Sequence, residues 1–274
     1  MNTVNMRIKI TDDFMFGYVM HHERVCAKVI ECLLPGIRIK KVVFKDIQKT
    51  IQGIPGTHSV RLDVYLDDGE TVINVEMQTG NKINIPQRSR FYGARIDCDQ
   101  LQRSQDYTEL KPTYVIFICT FDPFGMGQYR YTFENQCNEV EGLKLNDGSY
   151  KVFINANGKN GDISPELKEL LDYFMTGIGS DNELVREIDE IVDYANQDAD
   201  WRRDYMTYQQ AHLDAVWEGE RKGKAEGRAE GRVEGRVEGA ISTLVALVKD
   251  GLLSIGEACK RAGMPEAEFA ALVK

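Results

Sequence analysis

The chain has 274 residues, a formal net charge of -9 and a pI near 5.1, with 42% hydrophobic and 28% charged residues. That balance excludes wholesale disorder and leaves room for one medium domain with an appendage or for two small ones. No run approaches the roughly 20 apolar residues of a membrane span, and the opening MNTVNMRIKITDD lacks the apolar stretch of a signal peptide, so the expected address is the cytoplasm.

In chain order, Asp12 and Asp13 precede FMFGYVMHHERVCAKVIECLL, where Phe16, Val19, Met20, Val29, Ile30, Leu33 and Leu34 recur at helical spacing. Pro35-Gly36 ends the helix this predicts. IKKVVFKDI reads as a strand, and Ser59 to Leu66 and Thr71 to Gln78 as two more, separated by the hairpin signal Asp67-Asp68-Gly69-Glu70. A helix follows from Pro86 to about Arg103, then a buried strand from Tyr114 to Thr120 and a last strand from Lys151 to Asn155. Helix, three strands, helix, strand is the order of a mixed α/β domain over about residues 5 to 158.

From Ser164 the texture is helical, through SPELKELLDYF and NELVREIDEIVDYA. Between Glu218 and Gly239, glycine recurs at 219, 223, 227, 231, 235 and 239, the one internal repeat. Two or three short helices are expected from Ile241 to Lys274. The predicted boundaries are therefore 1–160 for the α/β domain, 161–217 for an acidic helical region, 218–239 for the repeat and 240–274 for a small helical tail.

Six scattered cysteines without C-x-x-C read as reduced, mostly buried thiols, and four histidines without H-x-x-x-H give a zinc site little support. No G-x-S-x-G is present, which argues against acyl transfer. The chemistry points instead to the hairpin. Leu62, Val64 and Leu66 alternate with Arg61, Asp63 and Tyr65, and Ile73, Val75 and Met77 alternate with Asn74, Glu76 and Gln78, giving each strand one apolar and one polar face. A two-residue turn at Asp68-Gly69 or at Gly69-Glu70 sets Asp63 opposite Asn74 or Glu76. Either register puts Asp63, Glu76 and Gln78 on one face. Two close carboxylates repel each other, and an oxygen-ligated Mg²⁺ or Mn²⁺ relieves that repulsion; the bland alternative is a solvated polar face.

R-L-D-V-Y-L, then D-D-G-E-T-V-I-N-V-E-M-Q, then R-S-R-F-Y-G-A-R with D-Y-T-E-L-K-P-T-Y-V-I-F-I resembles the PD-(D/E)XK nuclease family transposases, also called recombination-promoting nucleases. The resemblance covers about residues 8 to 158, with similarity in the E-G-R repeat as well. It implies a restriction-endonuclease-like core, a mixed β-sheet flanked by helices, followed by an all-α C-terminal region with a long Gly-repeat helix. It also implies a metal-dependent DNA endonuclease with Asp63 and Glu76 as metal ligands and Gln78 in the last motif position. Leu62 stands where the loose motif has Pro, and Gln78 where most members have Lys. An amide orients water but carries no positive charge, so slow or regulated cleavage is expected. The runner-up is a DNA-binding or self-assembling protein that keeps the nuclease fold with little catalysis.

Accessory candidates surround this trio. Asp13 or Glu23 is a candidate acid from the first helix, although Asp13 also suits a helix cap. Gln100 is a candidate support for the site. Arg88 and Arg95, seven residues apart on one helix face, and Lys82 are candidate DNA contacts or simply a solvated basic face, while Phe91 and Tyr92 read as core.

In the repeat, glycines four apart drift by about 40° per step around a helix, with a row of Glu on one side and a row of Arg on the other. Like charges then meet at i, i+4 within one helix, whereas a two-fold partner sets Arg against Glu. The repeat therefore reads as a homo-oligomerisation helix with a right-handed crossing, or as a flexible spacer. L-L-S-I-G-E-A-C-K-R-A-G-M-P-E-A-E-F faintly resembles a helix-turn-helix, and equally a small helical cap. The charge is unevenly spread: 161–220 holds 4 Lys and Arg against 16 Asp and Glu, while 1–110 holds 15 against 14. A nucleic-acid partner is thus permitted, and the acidic helices are expected to shield its basic face.

Overall fold

In the computed structural model, which describes residues 7–42, 44–51, 60–80, 84–101 and 103–273, six strands form one sheet. They are Phe44–Ile51 (β1), Val60–Asp67 (β2), Val72–Gln78 (β3), Thr113–Cys119 (β4), Arg130–Phe133 (β5) and Ser149–Asn155 (β6), in the order β1-β2-β3-β4-β6-β5. β1, β2 and β3 pair antiparallel, β3-β4 and β4-β6 are parallel, and β5 returns antiparallel along β6. TYVIFIC in β4 is apolar almost throughout because this central strand is covered on both faces.

Alternate residues of the same strands feed two cores. Ile73, Val75, Met77, Ile116, Ile118, Val152 and Ile154 pack against the helices Asp13–Met20 (α1), Glu23–Leu33 (α2), Pro165–Thr176 (α4) and Glu183–Gln197 (α5). Val72, Val115, Phe117, Cys119 and Phe153 pack on the opposite face against Ile85 and Ile96 of α3, Ile85–Gln100. Leu62 joins this second cluster although Val64 and Leu66 join the first, so the simple alternation expected for β2 breaks at Asp63.

Two differences from the sequence reading stand out. The first helix is two helices: Met20 and Val25 are buried while His21, His22, Glu23 and Arg24 between them are exposed, a gap longer than one helical turn. β5 was not anticipated, since RYTF is short and its residues are half-buried or exposed. The cap of α1 is Asp12, whose carboxylate accepts the N–H groups of Phe14 and Met15; Asp13 is the first helical residue.

The chain forms two compact units, Met1–Tyr205 and Met206–Lys274. α4 and α5 therefore belong to the first unit. Ser164 and Asn182 cap them, and Leu167, Leu171, Phe174, Val185, Ile188 and Val192 bury their apolar stripes in the first core. Asn196 locks α5 to the N-terminal segment by accepting the N–H of Ile8 and donating to its carbonyl. α4 and α5 lie on the sheet face opposite α3, so they do not shield its basic residues, whereas Glu183 and Glu187 of α5 pair with Arg24 and Lys28 of α2.

The helix Ala199–Lys249 (α6) begins in the first unit, where Trp201 and Tyr205 stack at 5.5 Å and Tyr205 donates to Asp12. In the second unit the glycine repeat is helical rather than an irregular spacer, and a Cβ added at any of its six glycines meets nothing within 4 Å. Ile255–Ala262 (α7) and Glu266–Val273 (α8) close a small core around Ala258, Cys259 and Phe269, with Gly263 in the left-handed region at φ 66° making the turn. α8 opens with Glu266 and Glu268, which disfavours a phosphate at its N-terminus and supports the helical-cap reading of the tail. Among the described residues no helix is long and apolar enough to cross a membrane.

Candidate active site

Tyr65 pairs with Asn74, Leu66 with Ile73 and Asp67 with Val72, which is the register of a turn centred on Gly69-Glu70, and Gly69 takes the positive φ of 94° that this turn needs. The ladder is recorded as far as Val64 and Val75. One residue further on, side chains take over the backbone groups: Glu76 Oε1 accepts the N–H of Asp63 at 3.1 Å, and Asp63 Oδ2 accepts the N–H of Met77 at 3.1 Å. Asp63 and Glu76 are thus held opposite each other near the carboxyl end of β3. Their backbones are fixed by the sheet, and their carboxylates are clasped around the point where the hairpin opens.

Period-two alternation sends Asn74, Glu76 and Gln78 to the α3 face while Ile73, Val75 and Met77 anchor the other core. All three polar side chains are buried, Glu76 at 3% exposure. A buried carboxylate demands compensation. Glu76 Oε1 also accepts from Asn74 Nδ2 at 3.1 Å, and Oε2 lies 3.6 Å from Arg88 of α3. Arg88 donates to Gln78 Oε1 at 2.6 Å and to the Tyr92 hydroxyl at 3.0 Å, and Gln78 Nε2 donates to the Gly80 carbonyl at 2.8 Å.

These partners offset the burial only in part. Burial pushes the Asp63 carboxyl up to about 6, with the charge of Asp13 adding to the shift and Arg61 and Arg88 opposing it. Burial, then the charge of Asp63, raises Glu76 well above the usual carboxylate range. Burial and the charge of Glu76 raise the Tyr92 phenol as well. Ionising both carboxylates here needs more positive charge than Arg61 and Arg88 supply, the condition that a divalent cation relieves.

The other candidates separate. Asp13, on α1, comes within Coulombic reach of Asp63 and pairs with Arg61 at 3.4 Å. Glu23 is exposed at the start of α2, and among the described residues no hydrogen bond or ion pair links it to Asp63 or Glu76. Gln100 does not support the site. It bonds the Thr113 hydroxyl and the Lys111 N–H at the opposite end of β4, about 13 Å away along the strands, and braces the α3-β4 connection. Arg95 is half-buried on α3. Lys82 lies outside the described residues.

Arg88, expected to reach phosphates from a basic face, lies beside Glu76 and Gln78, a placement that spacing along α3 does not reveal. Asn74 was passed over, although its place two residues before Glu76 put it on the same face. Among the described residues no three Asp, Glu, His or Cys side chains are gathered closely enough to enclose a metal ion.

A family model described as PD-(D/E)XK nuclease family transposase matches residues 12–217. The chain belongs to this family. No curated protein and no solved structure matches it. For a PD-(D/E)XK nuclease family transposase the match takes in all six strands and α1 to α5, and it stops at Trp217, just before the glycine repeat. The mixed six-stranded sheet flanked by helices is the fold of this family.

Proposed function

We propose that the protein is a divalent-cation-dependent DNA endonuclease that hydrolyses phosphodiester bonds in recombination or in the movement of mobile elements. The observation that carries this reading is the pairing of half-buried Asp63 with buried Glu76 at the end of β3, in a chain whose family is one of nucleases. The donor set fits Mg²⁺ or Mn²⁺. It is all oxygen, its two carboxylates are destabilised by burial, and the Asn74 carbonyl oxygen beside them is buried with no hydrogen-bond partner. The chemistry such an ion supplies is polarisation of a phosphoryl oxygen and activation of a water nucleophile.

The remaining work falls to the chain. Asp63 and Glu76 hold the ion, with Asp13 adding negative charge. Gln78 orients the water, and the sheet keeps the carboxylates in register without a loop to order. Plasmid nicking with Mg²⁺ or Mn²⁺ tests the reading. Wild type is expected to nick, and Asp63→Ala and Glu76→Ala to lose about 100-fold or more; equal cleavage by all three removes the site.

A second reading is a DNA-binding or self-assembling protein with little turnover. It is favoured by Gln78 in place of the motif lysine and by the absence of a three-ligand group among the described residues. Gel shift without nicking would select it. Self-association through the α6 repeat fits either reading. Its Glu and Arg rows lie on opposite sides of the glycines, and Val233 and Val237 are exposed on the helix face away from the glycines.

A further inference from the structure

Gln78 leaves the third motif position without a charge, yet the space around it is cationic. Arg88, one turn into α3, sits with its guanidinium 2.6 Å from Gln78 Oε1 and 3.6 Å from Glu76 Oε2, over the rings of Tyr92 and Phe117 at 5.3 Å each. At 3.6 Å the contact with Glu76 is an ion pair rather than a hydrogen bond. Three of the five guanidinium N–H groups are used, by Gln78 and twice by Tyr92. The second N–H of Nη1 remains to meet a phosphate oxygen while Nη2 faces Glu76, and the side chain is 24% exposed.

The same contact settles what Gln78 offers. With its oxygen on Arg88 and one amide hydrogen on Gly80, Gln78 keeps one N–H to donate to a water or phosphoryl oxygen, and its oxygen keeps one lone pair. Turning the amide round would set its NH₂ against the guanidinium.

We propose that Arg88 is a positioning residue that supplies from α3 the positive charge absent at Gln78, and that fixes the Gln78 amide with its N–H toward the reacting phosphate. This rests on the nuclease reading above. Arg88 also competes with the metal for Glu76, so its removal has opposite effects on metal binding and on cleavage.

The test uses the full chain with Arg88→Met, Gln78→Lys and the double variant, reading plasmid nicking in Mn²⁺ and the Mn²⁺ midpoint from thermal shift, beside wild type and Asp63→Ala. Arg88→Met is expected to lose about 10- to 100-fold in nicking while its Mn²⁺ midpoint is unchanged or lower. The double variant, which moves the charge to the motif position, is expected to recover at least about half of that loss on a logarithmic scale. Gln78→Lys alone is expected to bring no gain, because the charge is already present, and this arm stands even if Arg88→Met fails to fold.

The proposal is overturned if Arg88→Met nicks like wild type while Asp63→Ala is inactive. It is equally overturned if nicking and Mn²⁺ binding fall together, if the double variant is no better than Arg88→Met, or if Gln78→Lys alone accelerates nicking tenfold. A wild type that binds Mn²⁺ without nicking removes the nuclease reading, and this inference with it.

Discussion

The carboxyl of Asp63 titrates near 6 because burial penalises its charge, and that has a thermodynamic consequence in the absence of metal. Its folded value lies above the unfolded value of about 3.9, so between about pH 4 and pH 6 the folded state holds the proton more tightly. Stability therefore falls as pH rises through that window, and above it the ionised Asp63 carboxylate costs on the order of 3 kcal/mol. Asp63→Asn removes this cost. In EDTA at pH 7.5 the variant should melt roughly 6–12 °C above wild type, with the gap closing toward pH 4; a gap that is absent, or that widens in acid, contradicts the burial account. Of the residues gathered where the hairpin opens, Glu76 and Gln78 share a face by period-two alternation within β3, and Asp63 meets Glu76 because the register sets the two opposite each other. Arg88 was legible only as a basic residue, since its partners lie ten and twelve residues away across a loop, and no helical spacing reports on that. Gln100 shows the reverse failure: a polar residue on the right helix, at the wrong end of it.

At the scale of elements, α1 and α2 read as one helix because both bury apolar residues at helical spacing, and only the polar stretch His21 to Arg24 marks the break. β5 escaped notice because an edge strand with half-exposed residues carries no periodic signal. The repeat in α6 makes the sharpest claim here. An isolated helix pays nearly 1 kcal/mol per glycine against alanine, and its Glu and Arg rows repel within themselves. If a second copy uses the glycine groove, replacing Gly223, Gly227, Gly231 and Gly235 together by Ala should weaken self-association in analytical ultracentrifugation while raising helicity. If the full chain and a chain ending at Asp214 are both monomeric, the self-association reading is wrong.

For the whole molecule, the net charge of -9 is held mainly by helices that belong to the first unit's core, and this reverses an expectation drawn from charge alone. Deleting 161–274 would strip Leu167, Leu170, Leu171, Tyr173, Phe174, Val185 and Ile188 from the sheet. The truncated chain should be insoluble or molten rather than a tighter DNA binder, whereas a chain ending at Asp214 should keep its cooperative melt. Circular dichroism melts of the two compare them directly. Whether the Asp63–Glu76 pair holds a divalent cation is the central question, and its test needs no DNA substrate. Mn²⁺ added to the EDTA-stripped full chain at pH 7.5 should raise the melting temperature of wild type by several degrees and leave Asp63→Asn and Glu76→Gln nearly unmoved. An equal rise in all three, or none in wild type, would contradict cation binding by the pair.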